Sequence, residues 1–300
     1  MQVLYTKNQD PQLKFSDALK AYRDGLRHSY ELYLFSLAIF LKVAEHAKKD
    51  YAKKAKKLRP SKEDLAFLPK LYDNDIAQFL ANNKALEKYF NAYGVLPNIK
   101  EDDVAKFYRD FRRQEAHKKY IAQKDSQISD HRNVLLEMYK FLASHELFNE
   151  NMEDHYLSWT DDKSLVVGAI KKTIKALPGE EMFFKEYLPG TEATVDFGER
   201  LLKKDNDEDM ELLAIIEPTL KNWDAERVAV IDMILLKMAV CELTECSTIP
   251  TKVTLNEFVE ISKMYSTDKS KDFINGILDR LMKKLEKEGK INKEGRGLLN

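Results

Sequence analysis

The residues that could do chemistry are few, and most fail on spacing. Asp205 to Ile216, DNDEDMELLAII, has the acid density of a calcium loop. Its sixth position, where an EF-hand turns on Gly, is Met210, and its twelfth, where a bidentate Glu belongs, is Ile216. Calcium is excluded, and the acids read instead as negative charge complementing a helix N-terminus. HELFN, from His145, opens like a zinc-protease helix but puts Asn149 where the second ligand His belongs. The six histidines show no paired metal-ligand spacing, and the chain has no P-loop, GxGxxG or GxSxG. Cys241 and Cys246 fit neither a CxxC pair nor a zinc knuckle and read as small buried hydrophobes. No catalytic constellation, metal site or cofactor site emerges, so the expectation is a protein that binds rather than an enzyme.

Basic residues carry more information. His46 to Arg59, HAKKDYAKKAKKLR, places Lys48, Lys49, Lys53, Lys54, Lys56 and Lys57 around Tyr51. YRDFRRQEAHKKY adds Arg109, Arg112, Arg113, Lys118 and Lys119, with Tyr108, Phe111 and Tyr120 interleaved. Cations that neutralise phosphate beside rings that stack on unpaired bases suit RNA. A solvated helix face with snorkelling lysines is the competing reading. The formal net charge of −1 does not choose between them.

The elements that must position such residues are helical. Only 10 Gly and 8 Pro in 300 residues leave little room for the turns of a many-stranded sheet, whereas apolar residues recur at three- and four-residue spacing. The pattern predicts helices from Phe15 to about Leu58, Asp73 to Tyr93, Val195 to Lys204, Asp209 to Leu220, Ala225 to Glu245, Leu255 to Tyr265 and Asp268 to Glu288. Ser61 to Asp64, SKED, spells a capping box. Leu177-Pro178-Gly179 and Leu188-Pro189-Gly190 punctuate an elbow, and the Gly-rich tail after Glu288 is expected to fray. The longest apolar run, VAVIDMILLKMAVCEL, is broken by Asp232 and Lys237 and is too short to span a bilayer. With no signal peptide in view, a soluble cytoplasmic protein with no membrane contact is expected.

The last third carries a resemblance. NWDAERVAVIDMILLKMAVCEL, then Ile249-Pro250, then KVTLNEFVEISKMYS, then FINGILDRL from Phe273 closely resembles the NusB family of bacterial transcription antitermination factors. DFGERLL, from Asp196, and QVLYTKNQ, from Gln2, fit the helix before that block and the end of the family's first helix. The resemblance implies an all-α fold of NusB-like helical bundles with a large helical N-terminal insert. Residues 1–9 would be a remnant of the first helix, 10–194 the insert, 195–288 the core and 289–300 a flexible tail. It implies binding without catalysis: boxA RNA of ribosomal RNA leaders, the ribosomal protein NusE, and an RNA polymerase antitermination complex with other Nus factors. Family members open with an arginine-rich segment ahead of the first-helix end. Here the chain starts at Met1-Gln2, by a mis-called start or a truncation. RNA cytosine methyltransferases with a NusB-like domain are a less fitting relative, since they need a cofactor domain downstream.

By position, the resemblance assigns RNA contact to Gln2, Tyr5, Lys252, Lys269, Ser270, Lys271, Phe273 and Asn275, and NusE contact to Tyr5 and Glu226. A lysine or hydroxyl at a helix start can hold phosphate. Phe273 suits either a base or the core. Asn275-Gly276 is a turn signal inside an otherwise amphipathic segment, and Gly there costs about 1 kcal/mol relative to Ala. The expectation is that Gly276 admits a neighbouring helix. The alternative function is a NusB-like protein-binding scaffold without its own RNA binding.

Overall fold

A computed structural model describes residues 1–220 and 225–298, and among them every regular element is helical. The chain forms two compact units, one from Met1–Asp24 with Gly190–Asn300, the other from Gly25–Pro189. Helix α1 (Gln2–Gln9) lies in the first unit, and α2 (Phe15–Ala55) starts there and carries the chain into the second.

The second unit is built around α2. From Tyr30 to Leu41 every residue is buried, which suits a helix apolar on all sides and enclosed by others. Around it come α3 (Lys62–Ala66), α4 (Asp75–Ala81), α5 (Lys84–Ala92), α6 (Glu101–Phe111), α7 (Glu115–Ala122), α8 (Ile128–Ser144), α9 (Glu146–His155) and α10 (Trp159–Ala176). The hydroxyls inside this core find partners: Ser36 with Tyr139 at 2.8 Å and Tyr33 with Thr173 at 2.9 Å.

The sequence spells α3's capping box, and it forms, Ser61 Oγ accepting from the Asp64 amide at 3.1 Å. One helix expected over Asp73 to Tyr93 is instead two. Asn83 Oδ1 accepts from the Leu86 amide at 2.9 Å, so its side chain starts a new helix where hydrophobic spacing alone runs on.

The first unit's core lies among α11 (Phe197–Asp207), α12 (Asp209–Leu220), α13 (Val230–Glu245), α14 (Thr251–Tyr265) and α15 (Ser270–Lys287). Ile274, Ile277, Leu278, Leu281 and Leu285 of α15 pack with Leu235, Leu236, Ala239 and Val240 of α13 and Phe258 of α14. Each buried apolar side chain of this size contributes about 1.5–3 kcal/mol, so α15 easily outweighs the helix penalty of Gly276. The free thiols Cys241 and Cys246 are buried, and burial pushes the Cys241 thiol up to about 12.

Five expectations are corrected. A 3-10 turn, Ala225–Arg227, precedes α13, and α14 begins at Thr251, directly after Pro250. The acids from Asp205 to Asp209 divide between two helices: Asp209 opens α12, whereas Asp205 sits in the last turn of α11. The tail does not simply fray: the Glu294 amide donates to Ser247 O at 2.9 Å, Lys293 Nζ donates to Cys246 O at 2.9 Å, and Gly297 is buried. Finally, a Cβ on Gly276 would meet nothing within 4 Å, so no helix approaches there. The close approach is at Gly198, where a Cβ would strike the Tyr22 ring. Tyr22 in turn donates to Thr194 O at 2.7 Å, seating the start of α2 on α11.

Candidate nucleic-acid interface

A groove of about 470 Å³ opens on the first unit where the starts of α13 and α15 meet. Its lining from α15 and the residue before it includes Lys269, Ser270, Phe273, Gly276, Ile277 and Arg280. At 3.6 residues per turn these share one helix face, and the missing side chain of Gly276 leaves the groove floor open. Arg227, Val228, Ala229 and Asp232 form the other wall. Lys269, Arg227 and Arg280 are exposed cations at this groove, and Arg280 Nη1 also donates to Thr219 O at 2.8 Å. Phe273 is partly buried, packing on the core while one side lines the groove, so both roles weighed for it coexist.

Tyr5 is 40% exposed on α1 and borders a second depression with Ala229, Val230, Tyr265, Ser266 and Thr267. Ala229 and Thr267 line both hollows, so Tyr5 adjoins the groove. Gln2 is exposed on the same short helix, and Glu226 is exposed on the turn beside Arg227.

Of the remaining assigned residues, three lie elsewhere and Ser270, though at the groove, is occupied. Lys271 and Asn275 are exposed, but their helical phase puts them on the side of α15 away from the groove. Lys252 is exposed in the first turn of α14, about 20 Å along that helix from Tyr265. Ser270 is 2% exposed and its hydroxyl is engaged: Ser270 Oγ donates to Asp232 Oδ2 at 2.8 Å, and Ser266 Oγ donates to Asp232 Oδ1 at 2.6 Å. Asp232, Arg227 and Arg280 were missed from sequence. A signal existed for Asp232, because an acid alone in an apolar run must find partners when buried.

The second unit's two basic stretches differ: Tyr51 of the first is 41% exposed, whereas the rings of the second are covered. Tyr108, Phe111 and Tyr120 are buried, leaving no ring face for a base. Asp50 accepts from Lys54 at 2.6 Å and from Arg112 at 3.0 Å, and Lys54 Nζ stands 3.8 Å from the centre of the Phe67 ring.

Fold and groove together describe an all-helical protein with an open, cation-lined surface groove. A sequence model of the NusB family matches residues 179–283. The transcription antitermination protein NusB of Salinibacter ruber is 41% identical over 107 residues, covering 36% of this chain and 67% of the relative. Its counterpart from Chloroherpeton thalassium is 44% identical over 79 residues, 26% of this chain and 37% of the relative. That of Listeria welshimeri is 42% identical over 83 residues, 28% of this chain and 65% of the relative. The solved structure of T. maritima NusB is 28% identical, with 39% of this chain and 84% of that one covered and a TM-score of 0.30. The chain belongs to the NusB family. Two of the three relatives are matched over less than two thirds of their length, and residues 1–178 lie outside the family match. No described helix is long and apolar enough to cross a membrane.

Proposed function

We propose that the protein is a cytoplasmic transcription antitermination factor. It binds boxA-type RNA of ribosomal RNA leaders together with NusE and, with other Nus factors, helps RNA polymerase resist premature termination. The observation that carries this reading is the groove itself: Arg227, Lys269 and Arg280 surround a partly apolar floor that includes Phe273, and Tyr5 stands beside it. Cations there suit phosphates and the ring suits an unpaired base. Tyr5 and Glu226 are the candidate NusE contacts.

The test is binding of boxA and scrambled RNA to the chain with NusE across a salt series. Preference for boxA is expected, and equal affinity for both RNAs counts against the reading. Phase on α15 makes a sharper prediction. Lys269→Glu weakens RNA binding by about tenfold or more, as expected for a lost phosphate contact made repulsive, while Lys271→Glu has a clearly smaller effect. Both leave NusE binding intact.

The second reading, a protein-binding scaffold without its own RNA binding, draws support from Asp232 and Asp272, which place negative charge along the same groove. It predicts NusE binding with no discrimination between the RNAs.

A further inference from the structure

We propose that Asp232 is a positioning residue, which holds the segment from Ser266 to Ser270 so that Lys269 faces the groove. The proposal rests on the RNA-binding reading above. Asp232 is 4% exposed in the first turn of α13. Three hydroxyl protons face four close oxygen pairs here, because Ser266 Oγ and Ser270 Oγ also stand 2.9 Å apart, and the carboxylate can only accept. Ser266 and Ser270 each give their hydroxyl proton to one carboxylate oxygen, at 2.6 and 2.8 Å. Ser270 Oγ must therefore accept from Thr267 Oγ1, 2.8 Å away, while the Ser270 amide donates to Thr267 O at 2.9 Å. The chain from Ser266 to Ser270 is thus pinned at both ends to one carboxylate and braced in the middle. Lys269, the residue just before α15, is the cation this segment presents to the groove.

Stability alone is a poor reason for such an arrangement. Burying a carboxylate is costly even when hydrogen-bonded, and apolar replacements of similar volume are often neutral or stabilising. Removing only one partner strands the others, whereas removing all of them together need not. Helix α13 offsets some of the cost, because its N-terminal end favours negative charge. What the hydroxyl-carboxylate set supplies beyond an apolar plug is direction, fixing the path of five residues at the groove edge.

The experiment uses the full chain with NusE and boxA RNA. The triple variant Asp232→Ala/Ser266→Ala/Ser270→Ala removes the network and takes a partner only from Thr267, which is exposed to water, and is compared with the unaltered chain with and without Lys269→Gln. The triple variant is expected to melt within a few degrees of the unaltered chain and to bind boxA RNA about tenfold more weakly. Lys269→Gln should weaken the unaltered chain severalfold but add less than twofold in the triple background, because a lysine no longer aimed has little left to lose. Full affinity in the triple variant, or an equal cost of Lys269→Gln in both backgrounds, overturns the proposal. Should the triple variant melt far below the unaltered chain, Ser270→Ala with and without Lys269→Gln gives the same comparison, with the same outcomes for and against. Failure of the unaltered chain to prefer boxA RNA over scrambled RNA instead overturns the RNA-binding reading and this proposal with it.

Discussion

Asp205 shows how much one side chain's meaning depends on its surroundings. From sequence it belongs to a run of acids at a helix start; in the fold it closes α11, with Oδ1 buried and without a hydrogen-bond partner. Burial pushes its carboxyl up to about 6; Asp209 adds to the rise, while Lys237, Lys7 and the amine of Met1 oppose it. A carboxyl whose folded pKa exceeds its unfolded value binds its proton more tightly when folded, so stability from this group falls as pH rises from about 4 to about 6. Asp205→Asn is therefore expected to stabilise the first unit by about 1–2 kcal/mol at pH 7 and to flatten that limb. Urea unfolding across pH checks both. Lys269 and Lys271 make the same point about binding: alike in the sequence and two residues apart, they part company because a helix turns about 200° between them.

At the scale of elements, two glycines predict opposite behaviour. Gly198→Ala drives a methyl group into the Tyr22 ring and threatens its hydrogen bond to Thr194 O, costing about 1–3 kcal/mol in thermal unfolding. Gly276→Ala meets no neighbour and gains about 0.5–1 kcal/mol in helix stability. It also raises the groove floor, so RNA affinity should fall while the melting temperature rises. Periodicity predicted the helices of the last third, since the buried stripe of α15 is a plain three-four pattern. It missed the break at Asn83, because a cap is made by one side chain folding back on the backbone and leaves the apolar spacing intact.

At the scale of the whole molecule, the two units have separate cores and should unfold in separable steps. Leu135→Ala in the second and Leu278→Ala in the first should each cost about 2–5 kcal/mol and move one step only. The steps should also respond oppositely to acid. In the second unit burial pushes His46, His117 and His131 down, His117 to about 4, so the stability of these neutral rings is present above about 6.5 and lost as pH falls. In the first, burial raises Asp205 and Glu242, so these groups favour folding as pH falls toward 4. Calorimetry between pH 7 and 5 should show the second unit's step falling relative to the first's.

The sequence by itself determined that the chain is helical, which segments are amphipathic, and which family the last third spells, because these depend on local spacing and on ordered motifs. It also flagged Gln2, Tyr5, Lys269 and Phe273, but as members of a list in which Lys252, Lys271 and Asn275 stood as equals. Tertiary structure decided which of them meet. Helical phase and the approach of α1, α13 and α15 set Lys269 and Phe273 in one groove with Arg227 and Arg280, and Tyr5 beside it. The same packing turned the ring faces of Tyr108, Phe111 and Tyr120 inward, and with them the stacking surface that their interleaving with lysine and arginine had promised. Val104, Phe107, Tyr108 and Phe111 recur at three- and four-residue spacing, so the stripe is local, but what covers it depends on how helices close on one another.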